Sequence, residues 1–113
     1  MKYNETSLLT ADRLAEARTI GEKLARLRIA RRLRQADAAQ RAGLSRSTAA
    51  LIEKGDAGRT LAQVLRYLEA ISPGLSLSSL MLDEDPALLA LKAREATQRV
   101  RVLNDTELKE LDF

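Results

Sequence analysis

Residues 34–55 read RQADAAQRAGLSRSTAALIEKG, and the punctuation of this stretch decides the fold. Gln35 to Ala42 is rich in alanine, the best helix former, and stops at Gly43, the residue most able to take the left-handed conformation that closes a helix. Ser45 is a capping residue and opens a second helix at once, expected to run to about Lys54. Only Gly43 and Leu44 separate the two, so the second helix has to leave the first at a steep angle. Wound at about 100° per residue, the second helix has two faces. Ser45, Ala49 and Ile52 point one way; Arg46, Ser47, Ala50 and Lys54 point the other, with Leu51 at the margin. The latter face is small at its centre and cationic at both ends. Such a face fits a DNA major groove, because small side chains let the backbone approach the bases, Arg bonds guanine O6 and N7 together, and Ser bonds several base edges. An ordinary solvated helix face carries the same residue types.

Working outward, Thr19 and Glu22 have the T-x-x-E spacing of a capping box, which predicts a helix starting near Ile20 with Ile20, Leu24 and Leu27 on one face. A separate helical segment from Thr10, carrying Leu14 and Ala17, is expected ahead of it. On the other side, Gly55 and Gly58 flank a short polar loop, and Thr60 with Gln63 forms a capping box opening LAQVLRYLEAI. Its predicted buried stripe is Leu61, Val64, Leu65, Leu68 and Ile71. Ser72-Pro73-Gly74 breaks the chain. LSLSSLML, residues 75–82, reads as a short fifth helix capped by Ser76, in preference to a strand suggested by its alternation. Asp85-Pro86 is a helix start signal, opening an element expected to lie outside the compact domain.

The chain has 113 residues, enough for one domain with arms. Among its hydrophobic residues Ala and Leu are abundant while Val and Ile are scarce, which predicts an all-α fold. There is no Cys and no His, so disulfides, thiolate chemistry, Cys/His zinc sites and the commonest general base are absent. No catalytic residues, metal site or cofactor are expected, and an enzyme is the least favoured class. No run of 18 apolar residues occurs, and MKYNETSLLT lacks the apolar stretch of a signal peptide, so a soluble cytoplasmic protein without membrane contact is expected. The net charge of +3 hides a strong asymmetry: residues 1–55 are basic and residues 83–113 acidic. The densest cluster is Arg18, Lys23, Arg26, Arg28, Arg31, Arg32 and Arg34, expected to present a positive field to a polyanion.

From Ile20 to Leu82 the chain resembles the lambda repressor/Cro-like (XRE-type) helix-turn-helix family, through IGEKLARLR, RQADAAQRAGLSRSTAALIEKG and LAQVLRYLEAI. The resemblance implies a five-helix DNA-binding domain over residues 19–82, with a helical arm at 1–18 and a partly ordered acidic helical tail at 83–113. It implies that Arg46, Ser47, Ala50 and Leu51 read bases in double-stranded DNA, and that Gln35, Lys54 and Arg59 hold phosphates. It also implies an ion pair between Arg28 and Glu53. Where family members usually carry Leu and a bulky aliphatic, this chain has Ala38 and Ala49, which predicts a thinner core.

The function implied is a transcriptional regulator, in the first instance a repressor, acting as a homodimer on a two-fold operator, since one such domain makes few base contacts. Its dimer contacts are expected beyond Ser72, around Leu77, Leu80 and Leu82. An antitoxin-type autoregulator remains open beside it. In that case the tail, with Leu103, Leu108, Leu111 and Phe113 among Asp105, Glu107, Glu110 and Asp112, docks a toxin or other protein partner. A protein-interaction adaptor that does not touch DNA is the remaining binding class.

Overall fold

The computed structural model describes residues 5–111, with side chains from 6 to 102. A 3-10 turn at Glu5–Leu8 is followed by helices α1 (Ala11–Ala30), α2 (Gln35–Ala42), α3 (Arg46–Glu53), α4 (Leu61–Ile71), α5 (Leu77–Met81) and α6 (Pro86–Leu111). Every described helix and turn is thus accounted for without a strand, and the domain core is the expected five-helix, all-α set. No helix among the described residues is long and apolar enough to cross a membrane.

The start of α1 corrects one expectation. Thr10, not Thr19, is the cap, accepting from the Arg13 backbone N–H at 3.2 Å. Nothing between Leu14 and Thr19 breaks a helix, so the two predicted segments are one. Thr19 sits mid-helix and turns its hydroxyl back to the Ala15 carbonyl at 3.1 Å, the usual way a helix interior absorbs a threonine.

Other local signals operate where they stand. Thr60 accepts from the Gln63 N–H at 3.1 Å while Gln63 Oε1 accepts from the Thr60 N–H at 3.0 Å. Ser76 caps α5 through the Ser79 N–H at 3.0 Å, so residues 77–81 are helix rather than strand.

Leu24 and Leu27 of α1, Tyr67, Leu68 and Ile71 of α4, and Leu80 of α5 make the heart of the core. Every buried position of α2 is alanine, namely Ala38, Ala39 and Ala42, and Ala49 of α3 is fully buried too. Along α4 the predicted stripe is rotated. Leu61 and Leu65 are 65% and 42% exposed, while Tyr67 is fully buried, because the face α4 turns to α1 and α2 runs through Val64, Tyr67, Leu68 and Ile71. Leu80 is fully buried in its own core and so is not a surface contact, whereas Leu82 is 69% exposed.

The first turns of α6 belong to the packed body, contrary to the expectation for the element opened by Asp85-Pro86. Leu88 is 1% exposed, and Asp85 is 2% exposed with both oxygens used. One caps α6 through the Ala87 and Leu88 N–H groups, and the other takes Arg31 Nη2 at 2.5 Å. Lys23 and Lys92 grip Asp83 at 2.8 and 2.7 Å, and Arg26 holds Glu95. The predicted docking role of Leu103, Leu108, Leu111 and Phe113 lies outside the described side chains.

Candidate nucleic-acid interface

The α2–α3 pair is built by its own turn residues. Gly43 closes α2 with φ 68°, and Leu44 N–H reaches back to the Ala39 carbonyl at 2.9 Å. Ser45 then caps α3 by accepting from the Thr48 N–H at 3.1 Å. A side chain not singled out in the sequence secures this corner: Arg66 of α4 donates to the carbonyls of Ala42 at 3.1 Å and Gly43 at 2.9 Å.

The far end of α3 is held by a buried ionic knot. Arg28 donates Nε to Glu53 Oε2 at 2.7 Å and Nη2 to Oε1 at 3.0 Å, and its Nη1 reaches the Leu33 carbonyl at 2.8 Å. Tyr67 donates its hydroxyl to the same carboxylate. The Glu53 hydrogen bond raises the Arg28 pKa above its ordinary value, and burial, followed by the bond to Glu53, raises that of the Tyr67 phenol. Backbone contact completes the grip. A Cβ on Gly21 of α1 would lie 2.5 Å from Gly55 N and 2.6 Å from the Ile52 carbonyl oxygen, so only glycine lets α1 and the end of α3 approach this closely.

With both ends fixed, α3 presents one face outward. Ala49 and Ile52 are buried; Arg46, Ser47 and Lys54 are exposed, and Ala50 and Leu51 are half-buried between them. The structure therefore brings Arg46, Ser47, Ala50, Leu51 and Lys54 onto a single surface of one helix. Gln35 stands apart as the first residue of α2, half-buried. Arg59, in the α3–α4 loop, is half-buried rather than extended. Its Nε lies 3.7 Å from Asp56 Oδ1 and has no hydrogen-bond partner among the described residues.

The basic cluster that runs from Arg18 in α1 to Arg34 just after it is largely engaged by carboxylates of the same chain. Of its seven members, Lys23 pairs with Asp83, Arg26 with Glu95, Arg28 with Glu53, Arg31 with Asp85 and, at the surface, Arg34 with Asp37. The hydrogen bond from Lys23, then that from Lys92, lowers the Asp83 pKa, and the bond from Arg26 lowers that of Glu95. The predicted positive field from α1 is correspondingly reduced. Among the described residues no group of three or more Asp, Glu, His or Cys is placed to hold a metal ion.

Residues 19–72, which span α2, the Gly43 turn and the exposed α3 face, match the family model for a helix-turn-helix domain. The chain carries a helix-turn-helix domain. No curated protein and no solved structure matches the chain. In this helix-turn-helix domain α2 is the supporting helix and α3 the one whose face is free, an arrangement consistent with the lambda repressor-like all-α class. A helix-turn-helix domain suggests a DNA-binding regulator. Arg66 and Tyr67, both missed in the sequence, serve that domain from α4. Only their partners 14 to 24 residues away reveal them.

Proposed function

We propose that the protein is a sequence-specific DNA-binding transcriptional regulator that acts as a homodimer on a two-fold operator, a repressor in the simplest case because a bound dimer occludes the DNA it covers. The observation carrying this reading is the α3 surface: a small centre at Ser47 and Ala50 with exposed cations at Arg46 and Lys54, on a helix fixed at both ends. In this reading α3 lies in the major groove. Arg46 bonds guanine O6 and N7, Ser47 bonds a neighbouring base edge, and Ala50 and Leu51 meet thymine methyl groups. Gln35, at the start of α2, and Lys54 hold phosphates on either side, with Arg59 joining them if it turns out from Asp56. The ion pairs of Lys23, Arg26, Arg28 and Arg31 with Asp83, Glu95, Glu53 and Asp85 keep most of the basic cluster away from this task, so discrimination rests on few side chains. Doubling them by dimerisation supplies the missing contacts. With Leu80 buried, Leu82 is the member of the predicted dimer trio that stays open, and Leu77 is only half-exposed.

The test is selection of bound duplexes from a random library, followed by anisotropy titration. The expected product is a preferred sequence with two half-sites about one helical turn apart. Equal affinity for all duplexes, or none, overturns the reading.

The course of α6 favours a second reading, the antitoxin-type autoregulator. This helix continues to Leu111, well past Glu95, and carries exposed Val100 and Val102. Co-purification with the product of the adjoining gene, lost when residues 98–113 are removed while operator binding stays, is its expected signature. Removal from Asp85 onward would not serve, since it takes Leu88 out of the core.

A further inference from the structure

A second cationic element stands beside the exposed face of α3, on a part of α1 that precedes the family match. The chain ahead of residue 19 lies against the α3–α4 turn so closely that a Cβ on Gly55 would come within 2.3 Å of Arg18 Cα. Between them is a concavity of about 380 Å³, whose walls include Thr6 and Arg18 on one side and Leu51, Lys54, Gly55 and Asp56 on the other. Leu51 and Lys54 are members of the exposed α3 face, so the concavity opens at the edge of that surface. Arg18 and Lys54 are both exposed, and neither makes an ion pair among the described residues. This sets Arg18 apart from Lys23, Arg26, Arg28 and Arg31, each of which has a carboxylate. The local carboxylate, Asp56, is already engaged, accepting from the Gly58 N–H at 2.7 Å and facing Arg59. Two cations on the walls of one concavity attract an anion into it.

We infer that Arg18 and Lys54 form a phosphate clamp for the DNA backbone next to the bases reached by Leu51, extending the interface onto the upstream part of α1. The inference rests on the regulator reading above, and deepens it by naming a contact outside residues 19–72. A phosphate in the concavity lies between two cations carried by different elements. Its binding therefore fixes the register of the end of α3 along the groove without reading sequence.

The test uses the full chain and the duplex selected by the wild-type protein. Arg18→Gln is expected to lower affinity several-fold on selected and unrelated duplexes alike, and to reduce the slope of log affinity against log salt by about one unit. Arg18→Lys should restore the slope. A duplex with one uncharged methylphosphonate at the flanking position should cost the wild type the same affinity and cost Arg18→Gln nothing further. Arg18 is exposed, so an unchanged melting temperature verifies that the variant is folded. Wild-type binding with a slope unaltered by Arg18→Gln overturns the clamp alone. Wild-type protein that binds no duplex overturns the regulator reading and the clamp together.

Discussion

The Tyr67 hydroxyl donates to Oε2 of Glu53, the same oxygen that takes Arg28 Nε at 2.7 Å. One carboxylate, 8% exposed, thus ties α3 to α1 and α4 at once. Its charge is tolerated there only because an opposite charge and a hydroxyl meet it.

Removing Arg28 leaves that carboxylate buried and uncompensated. Arg28→Ala is expected to lower unfolding stability by roughly 3 kcal/mol, the low end for a broken buried pair because Arg28 keeps some solvent contact. Urea denaturation measures it, and a midpoint equal to the parent's would dismiss the knot as a stabilising feature.

Tyr67 gives the molecule an alkaline limit. Burial, with the bond to Glu53, raises its pKa above the ordinary phenol value, so above about pH 10 the unfolded chain gives up a proton that the folded chain keeps. The folded state then binds more protons, and stability falls as pH rises through that window, whereas below it this contribution is constant. Tyr67→Phe is expected to flatten the alkaline decline in denaturation curves between pH 8 and 11, as roughly bracketed by the phenol range. Parallel declines in the two proteins would contradict the assignment.

Gly21 reverses a general trend. In a helix interior Gly→Ala normally stabilises by up to about 1 kcal/mol. Here the new methyl would meet Gly55 and Ile52 backbone atoms within 2.7 Å, which cannot swing aside like a flexible side chain. Gly21→Ala should therefore destabilise, by about 1 to 3 kcal/mol, seen as a lowered Tm. A raised Tm would mean that the α1–α3 contact opens at little cost.

On the regulator reading, exposed Arg46 and half-buried Gln35 separate base reading from phosphate holding. Arg46→Ala should cost about 1 to 3 kcal/mol on the selected duplex and much less on unrelated DNA. Gln35→Ala should weaken all duplexes by a similar factor. Losses from Arg46→Ala that are equal on both DNAs would move Arg46 to the backbone.

What the sequence made legible is short in range. The Gly43 turn and the caps at Ser45, Thr60 and Ser76 involve neighbours three to five positions apart, and they stand where they were expected. Thr19 misled because a capping box is recognised by spacing alone, while its meaning depends on whether the helix already exists. Tyr67 and Leu65 exchanged roles because α4 offers two overlapping apolar stripes, and the neighbours α1 and α2, not the period, choose between them. Least legible was the destination of the α1 cations. Lys23, Arg26 and Arg31 find carboxylates 60, 69 and 54 positions away, separations over which no local pattern exists. The exposed face of α3 could be drawn from a helical wheel, but Arg18 joins it only through the close approach of Gly55.

Those distant carboxylates change how the chain behaves as a polyelectrolyte. An isoelectric point of 9.6 describes an unfolded inventory of charge. In the folded molecule, Lys23, Arg26, Arg28 and Arg31 already face carboxylates of the same chain, and are less able to drive release of the cations condensed on a nucleic-acid backbone. Bulk chromosome competes with any true site by weight of numbers, and it competes through that release. On the regulator reading, a protein that supplies its own counterions leaves this competitor less to hold, so more of its copies remain free to search.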